Sequence, residues 1–363
     1  MTLIIGSGLP KPKYGSALVI SHFSALEAFR RARWEGDYQV RELLADLYPD
    51  SLIRKLDADS LAADETLRPL LLPADAAERA TRVRPLLGLD ESRSIDVIVG
   101  RSIARRRGSG LSSHVWTGPV ADGLVSQLDA HLYLCGPEVL FLQLARVLPR
   151  PALLELGFEL CGTYTIGPKG HEFRNDAVSL TTPERLAWLA GLAAGVKGSK
   201  AARWAASHVL PGSRSPKESQ LAILLSLPRC EGGWGCPRPV MNYGIELTPQ
   251  ARRHCDRNVL YADLYFEAAR MDVEYHGARW HSRLIDKSRD DARSNALAMM
   301  DVECNVVWSS QLYDEAKMEG IANLIRKRSG ARPYRTPENG TMRLARLRLL
   351  DAFRSTGWDD EPQ

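Results

Sequence analysis

The chain has 363 residues, of which 44% are apolar and 25% are charged, and its formal net charge at pH 7 is +4. This length and composition predict a globular protein of two or three domains. A net charge of +4 excludes nucleic-acid binding by bulk charge, and no apolar run is long enough to cross a membrane. The N-terminus lacks the basic and apolar regions of a signal peptide, so we expect a cytoplasmic protein with no membrane partner.

The first 210 residues carry mixed helix and strand signals. Apolar residues three or four apart predict one amphipathic segment over 16–33. Short strands are predicted at 95–100 and 132–135, and Gly136-Pro137-Glu138 opens a predicted helix over 139–147. Further helical segments are predicted within 182–209.

This series of strand, basic turn, strand and Pro-Glu helix resembles the antitoxin-like domain of abortive-infection AbiE-type proteins, over roughly residues 15–150. The resemblance implies an α+β regulatory domain over 1–210, a defence or toxin–antitoxin context, and a partner protein bound through this domain. In many bacterial proteins that domain precedes a very-short-patch-like nuclease domain. We identify no N-terminal winged helix here, so sequence-specific reading of DNA is not part of the expectation.

Three basic clusters are the candidate phosphate-binding patches. A charge run is more often a solvated face than a binding site. The second and third clusters flank the site described below, which favours them over the first. The clusters are Arg101 with Arg105–Arg107, Arg252–Arg253, and Arg326–Arg328 leading to Arg332 and Arg335.

The six cysteines lack the spacing of a disulfide framework, so reduced thiols are expected. Cys230 and Cys236, with His254 and Cys255, offer a set of zinc ligands. The gap of five residues between the first two cysteines is wider than usual for such a site, so structural zinc is the weaker alternative.

A domain boundary is predicted at Pro211-Gly212-Ser213, which opens a second domain over 211–328. Just beyond it, Ser215-Pro216-Lys217-Glu218 precedes an apolar run. Serine at the N-cap, proline at the first helical position and glutamate three residues after the serine predict a capped helix start. Glu218 therefore has a structural role that stands beside any role at a site.

A β-hairpin is predicted from the β-forming run Val259–Phe266, the turn Glu267–Arg270 and a second strand over 271–275. In such a hairpin Asp263 and Glu274 can face each other and place carboxylate oxygens on one cation. Hard cations such as Mg²⁺ need oxygen ligands and keep waters, one of which can act as a nucleophile. His276 lies two residues beyond Glu274, on the same face of the strand, because side chains alternate.

An Asp, a short hairpin and then Glu-x-Lys or a substitute is the site pattern of the PD-(D/E)XK nuclease superfamily, which this chain resembles through Asp263, Glu274, Tyr275 and His276. The run His276–His281 also resembles the His-Gly-x-x-Trp-His motif of very-short-patch mismatch repair endonucleases, a branch of that superfamily. The helical stretch 289–297 and the strand-like 305–308 resemble the closing elements of such domains. Together these features cover roughly residues 213–326.

The resemblance implies a restriction-endonuclease-like mixed sheet flanked by helices, with Glu218, Asp263 and Glu274 around Mg²⁺ or Mn²⁺. His276 or His281 would act as general base or leaving-group acid, as neutral imidazole can near pH 7. Histidine stands where the superfamily has its motif lysine, and this departure bears on activity more than on fold.

The sequence as a whole predicts an α/β protein with a C-terminal tail over 329–363 that ends in a helix at 342–354. The expected activity is metal-dependent hydrolysis of phosphodiester bonds in DNA by an endonuclease. The alternatives are a non-catalytic DNA-binding transcriptional regulator or antitoxin that keeps the nuclease fold, and a scaffold that binds a partner protein. The absent lysine favours the regulator, whereas the convergence of carboxylates and histidines on one hairpin favours the enzyme.

Overall fold

The chain divides into two units that alternate along the sequence. In this computed structural model the first unit comprises Met1–Leu153 with Leu180–Ser207, and the second comprises Leu154–Ser179 with His208–Gln363. Helices and mixed sheets make the protein α/β, as the sequence predicts. The structure describes residues 17–36, 72–86, 89, 92–105, 107–108, 110–119, 124–129, 132–255, 257–277, 284–331 and 339–358.

A mixed six-stranded sheet forms the centre of the first unit. Its strands are β1 (Leu18–Ile20), β2 (Ile95–Val99), β3 (Arg107–Gly108), β4 (Leu111–Val115), β5 (Val125–Asp129) and β6 (Leu132–Cys135). Their order is β3-β4-β2-β1-β6-β5, and β1 pairs antiparallel with β2 and parallel with β6. The helices are α1 (His22–Glu35), α2 (Ala76–Leu86), α3 (Pro137–Leu144), α4 (Arg150–Cys161), which continues into the second unit, α5 (Pro183–Leu192) and α6 (Ser199–Ala206).

The start of the described chain corrects one prediction. Leu18–Ile20 form a strand whose consecutive side chains are all buried, as in a strand covered on both faces. The helix begins only at His22, after Ser21 in an extended conformation. The prediction of one amphipathic segment from residue 16 is therefore wrong before residue 22, because a buried strand followed directly by a helix imitates helical spacing. The predicted strands at 95–100 and 132–135 are confirmed, and the predicted helix over 139–147 begins at Pro137 and ends at Leu144.

A second, four-stranded sheet forms the centre of the C-terminal unit. The strands of this unit are β7 (Tyr164–Ile166) and β8 (Phe173–Asn175), which form a separate hairpin, and β9 (Val240–Glu246), β10 (Val259–Phe266), β11 (Met271–His276) and β12 (Glu303–Trp308). The larger sheet has the order β12-β11-β10-β9, with β11 and β12 parallel and the other pairs antiparallel. The helices are α7 (Pro216–Ser226), α8 (Leu284–Met299), α9 (Glu315–Arg328) and α10 (Gly340–Arg354).

The predicted hairpin, the helix and strand after it, and the final helix are confirmed. The hairpin turn is a short 3-10 helix that ends at Arg270 with a φ of 47°. All residues of α7 from Pro216 to Leu225 are buried, and this helix packs against β10 and β11. None of the described helices is long and apolar enough to cross a membrane.

Long-range hydrogen bonds explain why residues 154–179 belong to the C-terminal unit. The carboxylate of Glu155 accepts hydrogen bonds from Gln220 Nε2 at 2.7 Å and from Trp358 Nε1 at 2.9 Å. The Thr163 N–H donates to the Ser213 carbonyl at 2.7 Å. The unit therefore extends to both sides of the sequence boundary predicted at Pro211-Gly212-Ser213.

Candidate active site

The sheet of the C-terminal unit opens between β10 and β11 at the two acidic residues predicted from the sequence. These strands pair only from Leu264↔Val273 to Phe266↔Met271. Beyond that point β10 continues along β9, and β11 continues along β12. Asp263 and Glu274 are the next residues on either side of the opening. The Tyr275 N–H donates across it to the Asp263 carboxylate at 3.1 Å.

Glu218 enters the opening from the N-terminus of α7. The predicted cap is present, because Ser215 Oγ accepts a hydrogen bond from the Glu218 N–H at 3.1 Å. The Glu218 carboxylate in turn accepts from the Arg214 N–H at 2.9 Å and from Asn242 Nδ2 at 3.1 Å. Asn242 lies in β9 with a φ of 48°, a left-handed conformation that asparagine tolerates better than most residues. Glu218 therefore takes part in the helix cap and also places its carboxylate at the site.

The carboxylates of Glu218, Asp263 and Glu274 are close enough to influence one another. Burial raises the pKa of Asp263 well above its usual range, and the charges of Glu218 and Glu274 raise it further. Burial also raises the pKa of Glu218. The structure therefore brings these three predicted ligands together in an environment where their negative charges are poorly compensated.

Two residues that the sequence interpretation missed, Arg293 and Asp272, lie beside Glu274. Arg293, from α8, donates to Glu274, to Asp272 Oδ2 at 3.1 Å and to the Tyr261 carbonyl at 2.6 Å. Asp272 is fully buried, and its Oδ1 makes no hydrogen bond to the described residues. Burial, followed by the charge of Glu274, raises the pKa of Asp272 to about 9. Its neutral form is therefore favoured, and the charge of Arg293 chiefly balances Glu274.

His276 contacts Glu274 directly. Its Nε2 lies 3.3 Å from Glu274 Oε2, and its ring packs edge-on against Trp308 with the centroids 5.1 Å apart. Burial alone would raise the pKa of Glu274, but the hydrogen bond with His276 and the charge of Arg293 outweigh it and lower that pKa. His281 and Trp280, which the sequence also singled out, lie outside the described residues.

Alternation along β11 was the signal that could have found Asp272, because it stands two residues before Glu274 on the same face. Cys304 lies opposite Asp272 in the ladder between β11 and β12. Among the described residues, Asp272, Glu274 and Cys304 are the one group whose potential ligand atoms all lie within 4.8 Å of one another. Glu218, Asp263 and Glu274 do not form such a group among the described residues, and Glu274 is turned towards Arg293 and His276.

The oxygen donors of Glu218, Asp263 and Glu274 fit Mg²⁺ or Mn²⁺ in kind, because these hard cations prefer carboxylates. The repulsion that raises the pKa of Asp263 is also what a divalent cation would relieve. Bringing Glu274 into the same set requires it to turn away from Arg293. The zinc alternative finds no support in the described residues, since Cys230, Cys236, His254 and Cys255 do not form a ligand group there.

The basic clusters differ in their surroundings. Arg326 and Arg328 serve the fold of the C-terminal unit, because Arg326 donates to the Gly235 carbonyl and Arg328 to the Ala269 carbonyl, each at 3.0 Å. Arg252 and Arg253 are exposed on the connection between β9 and β10. Arg101 and Arg105 are exposed in the first unit, whereas Arg106, Arg332 and Arg335 lie outside the described residues.

Comparison with protein-family models, curated protein sequences and solved structures gives no match to this chain. The assignment of a function therefore depends on the geometry and chemistry of the opening between β10 and β11.

Proposed function

We propose that the protein is a metal-dependent DNA endonuclease that hydrolyses phosphodiester bonds at the opening between β10 and β11. The observation that carries this proposal is the approach of Glu218, Asp263 and Glu274 at a point where the sheet splits. Buried carboxylates held close together are costly, and such arrangements are enriched at catalytic sites. His276 adds a group that can accept or donate a proton next to them.

Each residue has a chemical task in this proposal. Glu218 and Asp263 present carboxylate oxygens, and Asn242 and the Arg214 N–H fix the orientation of Glu218. When bound, Mg²⁺ or Mn²⁺ supplies positive charge at the phosphate and lowers the pKa of a water. His276, whose Nε2 faces Glu274, is the group that would exchange a proton with the attacking water or the leaving oxygen once that contact is released. Arg293 adds a fixed positive charge beside Glu274.

A cleavage assay tests the proposal. Supercoiled, linear and mismatched DNA would be incubated with Mg²⁺ or Mn²⁺ and with wild-type, Asp263→Ala or His276→Ala protein. Glu319→Gln serves as the matched control, because it removes an exposed carboxylate on α9, away from the opening. We expect metal-dependent cleavage in the wild type and the control. Asp263→Ala should abolish it by removing a carboxylate ligand, and His276→Ala should reduce it by at least about 100-fold, as general acid–base groups commonly contribute.

A regulator or antitoxin that binds DNA without cleaving it is the second candidate. Its support is that Glu274 is already engaged by Arg293 and His276, and that position 276 holds histidine instead of lysine. In this case the folded protein would bind DNA equally well with and without metal and would cleave none of the substrates. Binding of Mn²⁺, followed by electron paramagnetic resonance in wild type and Glu218→Gln, separates the candidates even before a substrate is known.

A further inference from the structure

The sheet of the C-terminal unit exposes large side chains beside the opening. Tyr261 in β10 is 56% exposed, and Val240 and Tyr243 in β9 are 41% and 36% exposed. Tyr243 is held in place by a parallel stack on Tyr265, with ring centroids 4.7 Å apart and planes 7° apart. Tyr243 pairs with Ala262 and Tyr261 with Gly244, so the two rings lie on opposite faces of the sheet, and Tyr261 is the exposed ring on the face of Asp263.

Tyr261 lies against a glycine. It pairs in the ladder with Gly244, where a Cβ atom would come within 3.5 Å of Tyr261 Cε1. The Tyr261 ring thus lies beside the β9 backbone, while more than half of the side chain stays open to solvent.

Tyr261 is also next to the carboxylates. It stands two residues before Asp263 on the same strand, so the two side chains share a face and their Cα atoms are about 7 Å apart. Its carbonyl accepts a hydrogen bond from Arg293, the residue that contacts Glu274. A planar group stacked on Tyr261 would therefore lie at the entrance to the proposed catalytic site.

The connection between β9 and β10 adds positive charge at the far end of the same strands. Arg252, Arg253 and Arg257 are all exposed there. Arg252 donates to the Leu247 carbonyl at 2.9 Å, whereas Arg253 and Arg257 form no side-chain hydrogen bond or ion pair with the described residues. Glu246, at the end of β9, is an exposed acidic residue that precedes this connection. Along the chain, the basic connection is followed by the exposed Tyr261 and then by the carboxylate of Asp263.

We propose that this surface binds single-stranded DNA, with one base stacked on Tyr261 and the backbone phosphates on Arg253 and Arg257. Bases offer their faces to aromatic side chains only where they are not stacked in a duplex, and aromatic platforms combined with basic grooves are how proteins hold single strands. The inference deepens the proposed function, on which it rests: it names unpaired DNA as the substrate class and assigns the surface that guides the strand to Asp263.

Fluorescence anisotropy in EDTA tests the inference without cleavage. A labelled oligo-dT and a duplex of the same length would be titrated with full-length wild-type, Tyr261→Ala and Tyr261→Phe protein. We expect tighter binding of the single strand than of the duplex, at least about fivefold weaker binding for Tyr261→Ala, and near wild-type binding for Tyr261→Phe, which keeps the ring. Circular dichroism would establish that each variant is folded.

The arginine contribution is measured by its salt dependence. Arg253→Ala combined with Arg257→Ala should reduce the slope of log Kd against log salt by about 1.4, since each phosphate contact on a single strand contributes about 0.7. Arg348→Ala is the matched control, because Arg348 is exposed on α10 without a side-chain partner among the described residues, and it should leave the slope unchanged.

Three outcomes would overturn the inference: unchanged oligo-dT binding by Tyr261→Ala, preference for the duplex, or a concentration-dependent dimer that only Tyr261→Ala abolishes. The last result would make this surface an interface between copies of the chain. Cleavage that does not depend on Tyr261 refutes this inference and leaves the nuclease standing. Binding that depends on Tyr261, without metal-dependent cleavage by the wild type, refutes the nuclease and leaves the surface standing.

Discussion

Acidification should destabilise the first unit through His22. This residue is the first of α1 and has a φ of 49°, which is unusual for a residue with a side chain. Its ring stacks on that of His114 with the centroids 3.8 Å apart, and its Nδ1 lies 2.9 Å from Ser21 Oγ. The pKa of His22 is lowered to about 3, chiefly by burial and also by the charges of His114 and Arg146, whereas the charge of Asp96 opposes them.

The sign and size of the effect follow from these values. The folded chain protonates His22 only near pH 3, whereas the unfolded chain does so at the ordinary value of 6.5. Between the two, the unfolded state holds more protons, so the free energy of unfolding falls as the pH falls. The full difference corresponds to about 5 kcal/mol, of which up to about 2 kcal/mol is expressed between pH 7 and pH 5.

His22→Asn isolates this contribution, because asparagine tolerates a positive φ and does not titrate. Differential scanning calorimetry at pH 7 and pH 5 would compare it with wild type and with His171→Asn, which replaces an exposed histidine of the other unit. The wild type and the control should lose about 4–8 °C more in Tm than His22→Asn on acidification, as about 2 kcal/mol implies for a unit of this size. Equal pH dependence in all three proteins would refute the reasoning.

Two further substitutions test packing in the first unit and the cap of α7. Arg185→Met should lower the free energy of unfolding, measured in urea, by about 3–5 kcal/mol, because the buried Glu138 carboxylate loses the guanidinium that lies 2.7 Å from it. Adding Glu138→Gln should recover part of this loss. Wild-type stability in Arg185→Met alone would contradict the prediction. Ser215→Ala should cost about 1 kcal/mol as a lost N-cap and should also reduce metal-dependent cleavage, because Ser215 Oγ donates to Glu218 at 3.2 Å. Asp314→Ala, which removes the cap of α9, should cost similar stability without changing cleavage, and equal losses of cleavage in both variants would refute a link through Glu218.

The sequence predicts local elements of the C-terminal unit well, because local signals agree there. The hairpin has β-forming residues on both sides of a short turn, and the helix at Pro216 has serine at its N-cap. The unit to which a segment belongs could not be predicted where it depends on contacts between residues far apart in the sequence. Residues 154–179 join the C-terminal unit through partners such as Gln220 and Trp358, which lie far away along the chain. No local pattern contains that information.

The same division applies to the candidate site. Asp263, Glu274 and His276 follow from alternation along two strands, but the role of Arg293 depends on how α8 packs on the sheet, which its own sequence does not specify. The position of Arg293 bears on whether the site belongs to an enzyme or to a regulator. The charge of Glu274 is already balanced by Arg293.

Asp263 is different, because its raised pKa reflects burial beside Glu218 and Glu274 without a cation of its own in contact. A protein that only binds DNA gains nothing from this arrangement, and asparagine at 263 could still accept the hydrogen bond from the Tyr275 N–H. Costs of this kind persist where function compensates for them. The burial of Asp263 beside two other carboxylates, more than the number of acidic groups around it, is therefore the feature that favours a metal-dependent enzyme over a regulator.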